Sequence, residues 1–303
     1  MRASVIIPHF NDVARLWRCL AALVPQAEAQ GAEIVVGDNA STEDLGRLRA
    51  AFPSVRFVHA AAPGAAAARN VAVSCSRGTL LCFTDADCLP AADWLEVALE
   101  MARPGAVTGG AVALFDETPP PRSGAEAFET VFAFPQEMYI RRRHFSVTAN
   151  MLVPREVFER VGPFDGSRAE DFDWGRRAHA LGIALHFEPR LRVAHPTRAD
   201  WPALRRKWRR MTSEGFFAHG TDFRGRLTWG LRSLAILASV LLHLPRVLRH
   251  RALSRRERLA AAVTLVRLRA LRCAWTLRQA LVGEPPLRRS GQSATAAPRG
   301  TAR

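Results

Sequence analysis

Leu80-Leu81-Cys82-Phe83-Thr84-Asp85-Ala86-Asp87 is the stretch on which the fold turns. An apolar, strand-like run stops abruptly at two carboxylates, and a helix is predicted to begin near Ala91. The same punctuation recurs upstream. Ser4-Val5-Ile6-Ile7-Pro8 is a short β-branched run ending at a proline, followed by a helical pattern over Val13–Val24 with Leu16, Leu20 and Leu23 on one face. Ile34–Val36 reads as a second strand that stops at Gly37-Asp38-Asn39, and Val55–His59 as a third. Ala65–Ser74 is a predicted helix after Pro63-Gly64, and Leu80–Thr84 the fourth strand. Strands alternating with helices predict an α/β domain around a mainly parallel central sheet. Polar residues just after the strands sit where open α/β sheets bind ligands.

Beyond this half the pattern loosens. Pro119-Pro120-Pro121 with Ser123-Gly124 reads as a loop, and a less regular stretch follows to about residue 200. The chain has 303 residues, 48% hydrophobic and 23% charged, which suits a large globular domain plus an appendage. Its net charge of +15 is unevenly placed. Residues 1–200 hold 21 Lys+Arg against 24 Asp+Glu, whereas residues 201–303 hold 22 against 4. The acidic-leaning first part is a poor match for nucleic acid, so no nucleic-acid partner is expected. Five cysteines without a CxxC pair argue against disulfides and structural zinc and for a reducing compartment. The apolar run after Met1 is too short for a signal peptide, so the main domain is expected in the cytoplasm.

Four polar segments carry candidate chemistry. Asp85 and Asp87, two residues apart at a strand end, can face one hard cation while a diphosphate fills other positions; the same pair would also serve as a turn with a capping Asp. Asp38-Asn39-Ala40-Ser41-Thr42 is a polar turn whose first carboxylate could accept hydrogen bonds from a nucleobase or ribose, or simply close an Asx turn. After Gly64, Ala68-Arg69-Asn70 presents a single guanidinium from a small-residue helix, and its place beside Asp38 suggests a shared ligand. Glu170-Asp171-Phe172-Asp173-Trp174 is an acidic cluster at a helix start. A carboxylate held near others and near Trp174 gains a raised pKa and can act as a general base. His195 is a metal ligand only if the Asp85–Asp87 pair stands with it.

Taken in order, these segments form a set. Val5-Ile6-Ile7-Pro8-His9-Phe10-Asn11, Val36-Gly37-Asp38-Asn39-Ala40-Ser41-Thr42, Gly64 with Ala68-Arg69-Asn70, Phe83-Thr84-Asp85-Ala86-Asp87, Val161-Gly162-Pro163-Phe164-Asp165, Glu170-Asp171 and His195 resemble the family 2 glycosyltransferases of GT-A fold over roughly residues 3–200. The resemblance implies inverting transfer from a nucleotide-diphosphate sugar, most simply a UDP-sugar, assisted by Mg²⁺ or Mn²⁺. It places Pro8 and Phe10 by the nucleoside, Asp38 and Arg69 on the base, and Asp85 near the ribose. Asp87 and His195 would hold the metal, and Asp171 would be the catalytic base. Glu170 and Trp174 are acceptor-side candidates. Gly37-Asp38 departs from a commoner Asp-Asp pair, Ala40 stands for a usual glycine, and His9 for a commoner Thr or Ser. A sugar nucleotidylyltransferase would carry a Gly-rich, Arg-containing loop where Pro8-His9-Phe10-Asn11 stands. A basic membrane or nucleic-acid scaffold without catalysis is the other alternative, and retention of Asp87, Asp171 and His195 speaks against it.

The last third reads differently. Trp201, Leu204, Trp208 and Met211 recur at helical spacing among Arg205, Arg206, Arg209 and Arg210. Ser233–Pro245 lacks Asp, Glu, Lys and Arg but is shorter than the roughly 20 residues of a spanning helix. Val266, Ala270, Cys273, Leu277 and Leu281 mark one face of a further helix flanked by arginines. The division expected is a catalytic GT-A domain over 1–200, basic amphipathic helices on an anionic membrane surface over 201–284, and a disordered tail over 285–303. The enzyme would sit peripherally on the inner face of the cell membrane and build a cell-surface polysaccharide on a glycan or lipid-linked acceptor. A packed helical bundle, or a single spanning or re-entrant helix from Leu227 with Arg232 snorkelling, are the competing forms of this region.

Overall fold

The computed structural model describes residues 2–166 and 169–284; the tail expected over 285–303 lies outside them. The elements are β1 (Ala3–His9), α1 (Val13–Gln30), β2 (Glu33–Asp38), α2 (Gly46–Ala51), β3 (Arg56–His59), α3 (Ala65–Ser74), β4 (Leu80–Thr84), β5 (Leu89–Pro90), α4 (Trp94–Met101) and β6 (Val107–Phe115). Then come α5 (Gly124–Phe132), α6 (Gln136–Arg143), β7 (Asn150–Pro154), α7 (Arg155–Val161), α8 (Glu170–Ala180), β8 (Leu185–Pro196), α9 (Trp201–His219), α10 (Phe223–Leu248) and α11 (Arg255–Val282).

One sheet has the order β3-β2-β1-β4-β7-β6-β8-β5. Its first four strands are parallel, β7 runs antiparallel to β4 and β6, and β8 runs parallel to β6. Period-2 alternation sorts the strand residues. Val5, Ile7, Leu80 and Cys82 enter the core on one face, Ile6, Leu81 and Phe83 the core on the other. Burial on both faces is why these strands read as unbroken apolar runs.

The stretch read as less regular holds two long strands. β6 and β8 pair in register until Gly110, which faces Glu188, whereas Ala111 faces Arg192. That irregularity breaks the apolar period in the sequence and leaves carbonyls to satisfy. Buried Asn150 does so, donating through Nδ2 to the Ala111 and Leu191 carbonyls at 2.8 and 2.9 Å and accepting the Trp94 indole N–H at 2.9 Å. The proline loop ends at Ser123, which caps α5 in a reciprocal box with Glu126.

Gly37 sets how close α3 lies to β2. A Cβ there would fall 2.2 Å from the Ala68 carbonyl oxygen, a backbone atom that cannot rotate away. Gly37→Ala is expected to destabilise by about 1–3 kcal/mol, read as a lower denaturant midpoint with unchanged m-value. A wild-type midpoint would show that α3 shifts freely.

The helices α9, α10 and α11 pack with α5 around Phe128, Val131, Leu204, Val247, Leu265 and Leu268. The bundle core therefore includes a helix from within residues 1–200. α10 buries Trp229, Ser233, Ile236 and Val247, while Phe223, Leu227, Leu231, Leu234, Leu241 and Leu242 face outward.

Candidate active site

The carboxyl ends of β1, β2 and β4 meet beside the start of α8. At the first, the His9 ring is clamped between two partners. Its Nε2 accepts the Asp12 amide at 3.2 Å, so the proton lies on Nδ1, which reaches Asp38 Oδ1 at 3.1 Å. Asp38 also accepts the Ser41 amide at 3.3 Å. Asn11 accepts the Thr42 and Glu43 amides, and Asn39 takes the Gly64 amide, so three loops are tied together at this edge. Pro8 stands at the end of β1 opposite Gly37, and Phe10 is 54% exposed at the rim.

Arg69 is buried, and its guanidinium bonds Asp85 and Glu170, with no bond to Asp38 among the described residues. This ion-pair triad joins the two acidic segments, separated by more than eighty residues of chain. Burial opposes ionisation of Arg69, but the carboxylates of Glu170 and Asp85 outweigh it and keep the guanidinium charged. Beside them, Asp171 is pushed up to about 6, chiefly by burial and next by the negative charge of Glu170; the Phe172 amide and Arg69 pull the other way. Trp174 is a correction to the expected acceptor side. It is 1% exposed, stacks on Phe158, and donates its indole N–H to the Gly162 carbonyl at 2.9 Å. It anchors α8 in the core and does not line the cleft.

Asp87 faces His195 at the end of β8, Oδ2 to Nε2 at 3.4 Å. The other ring nitrogen lies 2.7 Å from the Pro196 carbonyl, which can only accept, so the proton sits on Nδ1. Nε2 is left facing the Asp87 carboxylate across the end of β8. Asp85, Asp87 and Cys88 bring ligand atoms within 4.8 Å of one another. Burial pushes the Cys88 thiol well up, so it stays protonated and is a poor ligand for a hard ion. The Asp85 and Asp87 carboxylates are hard oxygen ligands of the kind Mg²⁺ or Mn²⁺ takes, and the His195 imidazole adjoins Asp87.

Sequence reasoning missed the support behind His195. Its ring packs on Phe134, over which Lys207 Nζ lies at 5.4 Å, and Lys207 bonds buried Glu129 at 2.7 Å. Glu129 also takes the Arg198 guanidinium at 3.0 Å and its amide at 2.8 Å. Burial works against this carboxylate, but Lys207 and Arg198 hold it below the usual range. The signal was present: two glutamates, Glu126 and Glu129, inside an otherwise apolar helix.

The sequence profile described as "Glycosyl transferase family 2" matches residues 4–162. Glycosyltransferase AglE of Haloferax volcanii is 30% identical over 218 residues, covering 68% of this chain and 70% of that protein. Among solved structures, the mannosyltransferase PcManGT of Pyrobaculum calidifontis, in complex with GDP-Man and Mn²⁺, superposes with a TM-score of 0.54 at 18% identity, covering 94% of this chain and 76% of that one. GalNAc-T7 with UDP, GalNAc and Mn²⁺ gives a TM-score of 0.51 at 20% identity; the match covers 66% of this chain and 44% of GalNAc-T7. These likenesses extend the GT-A architecture over the described α/β part.

Proposed function

The chain belongs to the family 2 glycosyltransferases, and from that premise we propose that it transfers a sugar, with inversion, from a UDP-sugar to a glycan or lipid-linked acceptor in cell-surface polysaccharide synthesis. The observation that carries this is the Arg69 bridge, which ties Asp85 of the Asp85–Asp87 pair to Glu170, the neighbour of Asp171. Pro8, Phe10 and Asp38 border the nucleoside side, and Asp85 the ribose. Arg69 sits behind both, fixing Asp85 toward the donor and Glu170 toward the acceptor. A divalent cation held by Asp87 and His195 would neutralise charge on the departing diphosphate. Asp171 accepts the acceptor hydroxyl's proton as the new bond forms, and a single displacement needs no second carboxylate.

The outward leucines of α10 support a peripheral place on the cytoplasmic face of a membrane, with 201–284 as the associating region and 1–200 as the catalytic one. By length and composition alone α10 also passes as a spanning helix, since an 18-residue stretch of it averages a hydropathy of 1.5. Its packed inner face favours the surface position. A requirement for detergent at every salt concentration would favour the span.

A donor screen tests the activity. Purified protein with Mn²⁺ is offered UDP-, GDP- and dTDP-sugars, and binding is scored by saturation-transfer NMR alongside slow donor hydrolysis. Mn²⁺-stimulated binding and hydrolysis of a UDP-sugar are expected. Synthesis of a nucleotide sugar from a sugar phosphate and a nucleoside triphosphate would replace this reading with a nucleotidylyltransferase.

A further inference from the structure

Between α9 and α11 lies an open groove of about 660 Å³ lined by Trp201, Arg205, Arg206, Arg209, Trp275 and Arg278. Its continuation adds Arg267, whose guanidinium lies 4.0 Å over the Trp201 ring, and Ala270. Counter-charge is scarce. Glu284 takes Arg209 and Glu214 takes Arg210, whereas Arg205, Arg206, Arg267 and Arg278 meet no carboxylate among the described residues. Residues 285–303 contain no Asp or Glu that could supply one. Behind the groove, Arg269 and Arg272 lie over Trp208 with buried Nε atoms that have no partner.

Like-charged guanidiniums gathered this way repel one another unless an anion joins them, and planar forks suit phosphate oxygens. The groove is separate from the catalytic cleft. Arg205 and Arg209 lie two residues either side of Lys207, roughly 200° around the helix from the side that faces Glu129. What distinguishes the ligand is the apolar neighbour. Ala270 belongs to the same α11 stripe as Val266, Leu277 and Leu281, and these three are 46%, 46% and 70% exposed. Soluble phosphate or RNA would leave that stripe in water, whereas an amphiphile would cover it. Trp201 and Trp275 at the groove suit a membrane interface.

We propose that this groove holds the phosphate of an anionic phospholipid, with the acyl chains lying along the Val266–Leu281 stripe. The proposal rests on the peripheral membrane reading above and deepens it by naming the contact. It is tested by flotation with vesicles of phosphatidylcholine alone or mixed with phosphatidylglycerol. The variant Arg205→Gln/Arg206→Gln/Arg267→Gln/Arg278→Gln should lose about tenfold or more in affinity for the anionic vesicles. Val266→Ser/Leu277→Ser/Leu281→Ser should also lose affinity, and inorganic pyrophosphate or single-stranded RNA should compete weakly. Thermal melting and donor hydrolysis without lipid should stay at wild-type values. If the fourfold variant fails to fold, the pair Arg205→Gln/Arg278→Gln makes the same test. Wild-type vesicle binding in the arginine variants would overturn the groove and leave the peripheral reading standing. Absence of vesicle binding by the wild type would overturn both. Pyrophosphate or RNA binding as tight as lipid, indifferent to the serine variant, would reassign the groove to a soluble anion.

Discussion

Asp171→Asn should lower turnover by ~10² or more while donor affinity stays near wild type, because a positioned general base supplies about that factor and Asn cannot take a proton. The pH profile is the sharper test. With its carboxyl pushed up to about 6 by burial and then by Glu170, the wild type should lose activity as pH falls through about 6, and that limb should be missing from the residual activity of the variant. Stability should move oppositely. A carboxyl whose folded pKa exceeds its unfolded value of 3.8 favours the folded state when protonated, so ionisation costs stability progressively as pH rises from about 4 to about 6. Above that window the cost is constant. In metal-free protein, Asn should therefore match or exceed wild-type stability at pH 7 and lose that advantage below pH 4. Denaturant midpoints across this range, beside kcat and donor Kd, give the three readouts. Near-normal kcat would move the base elsewhere, with Glu170 next in line.

Asp87→Ala should bring the ratio of UDP affinities with and without Mn²⁺ down to one. Asp87 is the group facing His195, whose Nδ1 is held by the Pro196 carbonyl so that Nε2 points into the site. Without the carboxylate, a lone imidazole and Asp85, itself bonded to Arg69, make a weak site. Lost transition-state charge stabilisation is worth several kcal/mol, so turnover should fall steeply as well. Calorimetry of UDP binding at several Mn²⁺ concentrations measures the ratio, and near-UV circular dichroism confirms the fold. Metal stimulation that survives in the variant would remove Asp87 from the cation site.

Where a single period governs the chain, the sequence was legible. Ala65–Ser74 and Leu80–Thr84 have the bounds expected of them, since each alternates or repeats cleanly between breakers. β6 and β8 were not legible, because their pairing slips at Gly110 and the slip is absorbed by Asn150, a residue far along the chain. α5 was hidden behind three prolines, although Ser123 and Glu126 carried its start signal. Asp85, Asp87, Glu170, Asp171 and His195 stood out in the sequence as candidates, and the structure brings Asp85 beside Asp87, Asp87 beside His195, and Asp85 and Glu170 onto one guanidinium. What Arg69 touches was not legible. A buried guanidinium goes where uncompensated carboxylates are, and only the three-dimensional arrangement shows that these are Asp85 and Glu170. Trp174 was misplaced because an aromatic beside acids reads alike whether it faces the cleft or the core.

The α5 helix makes the two parts of this chain unsuited to exchange as modules. A boundary drawn at residue 200 leaves Phe128 and Val131 on one side and their partners Leu204, Leu265 and Leu268 on the other. It also strands Glu129 without Lys207, a buried carboxylate missing one of its two cations. Recombination between relatives would have to carry α5 together with α9–α11, and inheritance of the helical region is thereby tied to a short segment in the middle of the catalytic chain.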